Sequence, residues 1–363
     1  VSHQNIQYIS LSEAQKIAVS AQLLTRNIDK ETSSQTVLEK LGCIQIDAIR
    51  AVRRSHELVF LSRGISCKET DVSTEHFETW GHAHSLMPMS LWPHMEWRRR
   101  RLRASGFIGP EVDKLVCKSV LKVISAEGPK TMTELEPSVG KGWNRASATR
   151  WACEWLLSVG DLVCTSRNSR WQRIYSLPTE SIPYPIRSSR HCDDLGLRHV
   201  VDLSMRALGI ATDRDVADYF KISLPEARKI LIESEYERVM VEGSAAIWYI
   251  SKDIEMSFSA ESIVAISPLD SLVWSRGRQK NLFQRDYILE SYKPKLKRKF
   301  GYFGMPVLKG HRIVGRVAPR KSGETLFIEA QEFDDSISPD EIELLLQKLS
   351  TWASCSHVIM ERD

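Results

Sequence analysis

Cysteine is sparse and unpatterned in this chain. Its seven copies, Cys43, Cys67, Cys117, Cys153, Cys164, Cys192 and Cys355, are odd in number, and no two stand at C-x-x-C spacing. That argues against a disulfide framework, a zinc finger or an iron–sulfur cluster. No run approaches the roughly 20 apolar residues of a membrane helix. The start, Val1-Ser2-His3-Gln4-Asn5-Ile6, lacks the basic-then-apolar layout of a signal peptide. Glycine and proline are modest, 18 and 14 in 363 residues, so collagen-like and low-complexity readings fall away. With 42% hydrophobic and 26% charged residues, the composition is that of an ordinary globular protein long enough for two or more domains. These absences lead to the expectation of an intracellular, cytoplasmic protein without membrane contact, metal or cofactor.

A net excess of either charge is also nearly lacking: 50 Lys+Arg against 46 Asp+Glu leaves +4. The distribution says more. From Trp274 to Arg320 thirteen bases face two acids, Asp286 and Glu290, whereas Lys321 to Asp363 holds three bases and ten acids. A second basic knot, Arg98 to Arg101 plus Arg103, follows Trp97, and a third comprises Arg50, Arg53, Arg54 and Arg63. Clustered cations with a compensating acidic segment elsewhere are the footprint of a nucleic-acid binder. Solvated faces of helices and strands are the plainer alternative.

The hydrophobic periodicity predicts a helix over 11–25, with Ala14, Ile17, Ala18, Ala21 and Leu24 on one stripe behind a Ser10-x-x-Glu13 capping box. A short helix over 33–41 should stop at Gly42, where a left-handed residue is wanted, and Cys43–Asp47 should be extended. Residues 111–126, a short helix capped by Thr131-x-x-Glu134, a helix over 145–158 and strands at 161–166 and 172–177 give helix, short helix, helix and wing. That is the winged-helix order. After a polar linker at 178–193 the pattern returns. A helix from Leu197 to Leu208 precedes helices opened by Thr212-x-x-Asp215 and Ser223-x-x-Glu226, then a hairpin at 239–243 and 248–250. Its third helix exposes Arg228 and Lys229, which the sequence leaves open between DNA contact and a protein–protein spacer role, since winged helices serve as both. The remainder reads as mainly β, a small barrel or curved sheet ending in a helix at 339–352. The division expected is 1–105, 106–190 and 191–258 as winged-helix domains and 259–363 as the β domain, an α+β fold overall.

In an extended segment alternate side chains share a face, so Gln45 and Asp47 fall about 7 Å apart while Ile44 and Ile46 point into a core. A carboxylate can stabilise an oxocarbenium-like centre and accept a proton from water while an amide orients that water. Q-x-D by itself is common, and a polar edge-of-strand pair bonded to nearby backbone is the bland alternative. Arg50, Arg53, Arg54, His56 and Arg63 follow at once and could hold a phosphate backbone beside the pair. His82 and His84, two apart with no third ligand nearby, read as structural.

The run Leu41-Gly-Cys-Ile-Gln-Ile-Asp-Ala-Ile-Arg-Ala-Val-Arg-Arg-Ser-His-Glu-Leu-Val-Phe-Leu-Ser-Arg63 resembles the signature of the bacterial winged-helix DNA glycosylases of the AlkZ/AlkX (YcaQ-like) type. The resemblance extends to Trp80-Gly-His-Ala-His-Ser-Leu-Met-Pro88 with Trp97-Arg98. It resumes at Ser267-Pro-Leu-Asp-Ser-Leu-Val-Trp-Ser-Arg-Gly-Arg278 and at short matches including Tyr287 to Tyr292 and Val314-Gly315-Arg316. It implies tandem winged helices and a C-terminal β-barrel-like domain in a C-shaped cradle for duplex DNA. It also implies a Gln-apolar-Gln or Gln-apolar-Asp catalytic motif, here Gln45-Ile46-Asp47, and so the branch with the broader substrate range.

Together the chemistry and the resemblance lead to a monofunctional glycosylase removing alkylated purines of the 7-alkylguanine type from double-stranded DNA in base excision repair. Unhooking of interstrand crosslinks is left open, and a monomer near the nucleoid is expected. Asp47 is assigned as stabiliser and general base and Gln45 as the water-positioning residue. No lysine adjoins the motif, the nearest being Lys40 and Lys68, which disfavours a lyase step. Arg50, Arg53, Arg54, His56, Arg63, Arg98, Arg276 and Arg278 are the candidate DNA contacts, with structural support the alternative for His56 and Arg63. An open, positively charged groove is expected in place of a deep pocket. The rivals are a winged-helix transcriptional regulator without catalysis and a lesion-sensing scaffold.

Overall fold

The computed structural model describes residues 6–24, 32–66, 75–106, 111–135, 148–234, 236–251, 262–291 and 293–361. Cys67, Lys68, Tyr292 and the first residues of the helix expected from 145 lie outside them. By their contacts the residues divide into two compact units, Val1–Asp71 with Val201–Asp363, and Val72–Val200. The fold is mixed α+β, built on small sheets.

In the first unit, the Ser10 hydroxyl accepts from the Glu13 amide at 3.1 Å and opens the helix Leu11–Ala21, which buries Ala14, Ile17, Ala18 and Ala21. The helix ends short of the expected residue 25 because the chain reverses at Leu23, whose φ is +59°. Ser33 caps the helix Ser34–Leu41, and Gly42 closes it with φ +67°. A strand Ile44–Gln45 and a helix Ser55–Ser62 follow.

Farther along, the helix Asp193–Leu208 leads to a strand Ile210–Ala211, the helices Asp213–Tyr219 and Leu224–Glu233, and a hairpin of Glu237–Val241 with Ile247–Ile250. The capping boxes Thr212 with Asp215 and Ser223 with Glu226 are formed, whereas at Ser10 only the hydroxyl half of the expected box is present. The sheet gains a strand not read from the sequence, because Gln7–Ile9 pairs in parallel with the hairpin, Gln7 opposite Val239.

The C-terminal part is a five-stranded curled sheet in the order Ile263–Ala265, Met305–Lys309, Arg312–Ser322, Thr325–Phe333, His357–Met360. Register shifts at Val307/Leu308 and Ala318/Pro319 bend it, and Pro319 is tolerated because it lies at one of these irregularities. The last pair is parallel, which requires a crossover, and the helix Pro339–Ala353 supplies it. One core joins the parts of this unit. It includes Ile17 and Val19 of the first helix, Trp248 of the hairpin, Val264, Val314 and Leu326 of the curled sheet, and Trp352.

The second unit repeats the helix, short strand, helix, helix, hairpin order in Lys114–Glu127, Lys130–Thr131, Met132–Leu135, Ala148–Val159 and the strands Val163–Arg167 and Arg173–Ser176. Cys117, Val120, Ile124, Ala152, Cys153, Leu156, Leu162 and Tyr175 form its core. Ahead of it lie a hairpin, His76–Trp80 with His84–Pro88, and the helix Glu96–Ser105. The expected linker at 178–193 is partly helical. Pro178 and Pro185 fall in the first turns of the short helices Pro178–Ser181 and Tyr184–Ser188, where the missing N–H does no harm.

Candidate active site

The Gln45–Asp47 segment hangs from the end of the helix Ser34–Leu41. Gly42 takes the left-handed conformation, and a Cβ there would meet Leu203 Cδ2 at 2.3 Å, so only glycine lets the chain turn this close to its neighbour. The buried Tyr219 hydroxyl donates to the Leu41 carbonyl at 2.9 Å. Ser55 Oγ donates to the Gln45 carbonyl at 2.9 Å, tying the strand to the next helix.

The strand proper is two residues long, yet the alternation runs on past it. Ile44 and Ile46 are buried at 1% and 7% exposure while Gln45 and Asp47 are half-buried. The Ile49 amide donates to Asp47 Oδ1 at 2.8 Å, a local turn that orients the carboxylate. A half-buried amide and an oriented carboxylate therefore alternate with two buried isoleucines. Of the supports, Gly42 was readable as a helix stop. Tyr219 carried no sequence signal, being brought from 178 positions away.

The cations near the motif divide by burial. Arg50 is exposed, as is Arg276 at the start of the helix Arg276–Phe283. Arg53 is half-buried, with Nε donating to the Trp352 carbonyl at 2.7 Å and Nη1 3.3 Å from Glu57. Arg54 is half-buried at the helix start, where its backbone amide donates to Glu57.

His56, Arg63 and Arg278 are only 6%, 2% and 2% exposed, so these side chains sit inside the fold, in line with the structural alternative weighed for His56 and Arg63. Arg63 donates to Asp270, to Val59 and to the carbonyl and side chain of Gln22. Arg278 donates to the carbonyls of Leu208 and Ile210. Ser271 Oγ joins the same hub through Gln22 Oε1 at 2.7 Å. Much of the Ser267–Arg278 motif is therefore structural, tying the first helix and the Ile210 strand to the C-terminal part.

The large charge blocks are also partly spent inside the fold. Lys309 pairs with Glu341 at 2.7 Å, Arg316 with Glu332 at 3.0 Å, and Arg320 with Glu329 at 2.7 Å. The acidic tail thus neutralises part of the basic run from neighbouring elements. On the helix Leu224–Glu233, Arg228 is 2.7 Å from Asp213 and Lys229 3.8 Å from Glu233.

Within the second unit, Arg98 donates to the Trp80 carbonyl and lies over the Trp97 ring, 5.1 Å to its centroid. His84 bonds to buried Glu78 at 2.9 Å, and Arg167 and Arg173 close on the same carboxylate. Burial alone would raise the Glu78 carboxyl. The hydrogen bonds from His84 and Arg167, with the charge of Arg167, outweigh burial and hold it well below the usual carboxylate range. Burial pushes the His84 imidazole below its ordinary value. Among the described residues no group of three or more His, Cys, Asp or Glu is placed to hold a metal ion, and no helix is long and apolar enough to cross a membrane.

Comparison with known proteins supplies the rest. The family model described as DNA glycosylase AlkZ-like matches residues 38–353. Among solved structures the chain is similar to Streptomyces sahachiroi DNA glycosylase AlkZ, at 15% identity and a TM-score of 0.65, with 98% of this chain and 100% of that one covered. At that identity the likeness speaks for the fold over the whole chain. The family match covers both the Gln45–Asp47 segment and the C-terminal sheet, and on it the chain belongs to the AlkZ-like DNA glycosylase family.

Proposed function

We propose that this protein is a monofunctional DNA glycosylase that hydrolyses the N-glycosidic bond of alkylated purines, chiefly 7-alkylguanine, in double-stranded DNA. The observation that carries the reading is that Gln45 and Asp47 are half-buried where Ile44 and Ile46 are buried, with the Asp47 carboxylate oriented by the Ile49 amide. Alkylation at N7 makes the base cationic and a good leaving group, so departure needs little acid catalysis. The carboxylate of Asp47 stabilises the positive charge growing on the sugar and takes a proton from the attacking water, which the Gln45 amide orients. Water adds to the sugar carbon, the bond to the base nitrogen breaks, and the proton leaves on the carboxylate. Asp in the third position of the motif supports the branch of broader substrate range. The repeated helix, strand, helix, helix, hairpin order supports tandem winged helices as the DNA-binding frame. Exposed Arg50 and Arg276 are proposed phosphate contacts.

The test is release of free 7-methylguanine, and formation of alkali-labile abasic sites, from a duplex carrying one such base. Wild type should release base, Asp47→Asn should lose about 10²–10⁴-fold, and Gln45→Ala should lose less. If neither this duplex nor one carrying a nitrogen-mustard crosslink releases base above the spontaneous rate, the enzymatic reading fails. Sequence-selective binding unchanged by Asp47→Asn would then identify a regulator.

A further inference from the structure

The Val72–Val200 unit contains a cavity of about 350 Å³ that the proposed reaction does not use, lined by Arg99, Arg100, Arg103, Arg187 and Arg190, with Glu96 its one carboxylate. Five guanidinium groups around one concavity repel each other, and their field attracts anions. The inner ones are held by the protein. Arg99 is 6% exposed, stacked on the Trp92 ring at 4.0 Å, and bonded to Glu96 at 2.8 Å and to the Trp92 carbonyl at 2.7 Å. Gly160, with φ +76°, closes the wall over it, since a Cβ there would lie 2.4 Å from Arg99 Cδ. Arg100 is paired with Asp193, and Arg103 with Asp161 at 3.0 Å.

Arg187 and Arg190 differ. Among the described residues neither has a carboxylate within ion-pair distance, and Arg187 Nε is buried without a hydrogen-bond partner. A buried donor left unmet is costly, and an anionic oxygen is the acceptor that would satisfy it best. Two cations without a carboxylate partner, Arg187 lying over the Tyr184 ring at 5.4 Å, match the charge of close to −2 that a phosphate monoester or inorganic phosphate carries at neutral pH. The planar fork of arginine fits phosphate oxygens in pairs, and the volume is at the lower end of small-ligand sites.

We propose that this cavity is a binding site for a phosphate group, with Arg187 and Arg190 as its primary ligands. The group comes either from a nucleic-acid backbone or from a free phosphate.

The full chain is melted in rising inorganic phosphate against sodium chloride of equal ionic strength, as wild type, Arg190→Gln and the Arg187→Gln/Arg190→Gln pair. The melting temperature of wild type should climb with phosphate beyond the chloride control. The apparent Kd should rise about tenfold or more in the double variant and by a smaller factor in Arg190→Gln, whose exposed side chain leaves the fold intact. Duplex binding is then measured by anisotropy across a salt series. A fall of about 1–2 in the slope of log affinity against log salt, together with loss of the phosphate effect, identifies a backbone phosphate. Loss of the phosphate effect with the slope unchanged identifies a free phosphate. No stabilisation of wild type beyond chloride, or equal stabilisation of folded variants, overturns the proposal. Release of 7-methylguanine, followed in parallel, reports separately on the reaction.

Discussion

Arg63 and Asp270, 207 positions apart, meet through two parallel hydrogen bonds of 2.7 and 3.1 Å, and both side chains are wholly buried. The pair is satisfied on all sides, with Arg63 also bonded to Gln22 and Val59, and the Leu272 amide donating to Asp270 at 3.0 Å. Breaking one half leaves a charge in a dry interior, which costs far more than the intact pair contributes. Arg63→Leu or Asp270→Asn should therefore each lower stability by about 3–5 kcal/mol. Urea unfolding checks this, and a loss below 1 kcal/mol would remove the pair from any structural role. Replacing both partners with apolar residues of similar volume should recover much of the loss.

Gly42 links stability to the candidate site. Its positive φ and the 2.3 Å approach to Leu203 mean that Gly42→Ala must shift the helix end from which Gln45 and Asp47 hang. The expected loss is about 1–3 kcal/mol, with base release falling further than the folded fraction does. Thermal melting alongside single-turnover release separates the two effects. Equal falls would mean that the turn only supports folding.

His94 should make the second unit acid-sensitive. Its ring is stacked between His191, 4.3 Å away, and His199, 3.6 Å away. Burial first, then the positive charge of His199 and His191, pushes its pKa down from 6.5 to about 4. Between those values the unfolded chain holds a proton that the folded one does not. The contribution of this site to stability is therefore full above pH 6.5 and declines as the pH falls toward 4. His94→Gln should flatten that part of the stability profile followed by denaturant melts at pH 7, 6, 5 and 4. An unchanged slope would assign the acid sensitivity to other groups.

The local grammar of the chain was largely readable. Ser10, Thr212 and Ser223 cap helices as their spacing to Glu13, Asp215 and Glu226 required, because a capping bond spans three residues and needs nothing from elsewhere. The burial alternation of Ile44 to Asp47 was equally local. The strand Gln7–Ile9 was missed because its pairing partner lies over 200 residues away and three residues carry no period. The short helices Pro178–Ser181 and Tyr184–Ser188 were missed because they lie in the stretch read as a polar linker, with Pro178 and Pro185 in their first turns.

Charge was the least legible property. The basic run and acidic tail looked like a surface field, but ion pairs such as Arg316–Glu332 and Arg320–Glu329 consume part of both. Likewise Arg99 and Arg103 of the arginine knot are held by Glu96 and Asp161. A sequence counts charges, but it does not show which carboxylate each one meets.

By itself the sequence determined the capped helices, the glycine stop before the short Ile44–Gln45 strand, the α+β class and, through the resemblance, membership of the AlkZ-like family. Hydrophobic period, caps and turn residues act over a few positions, so they are written where they act. Only the tertiary structure decided that residues 1–71 join 201–363 in one unit, that Arg63 and Arg278 are buried supports while Arg50 and Arg276 face solvent, and that five arginines surround one cavity. Those outcomes depend on which distant groups fill each side chain's surroundings, and burial and pairing are set by that neighbourhood rather than by residue type.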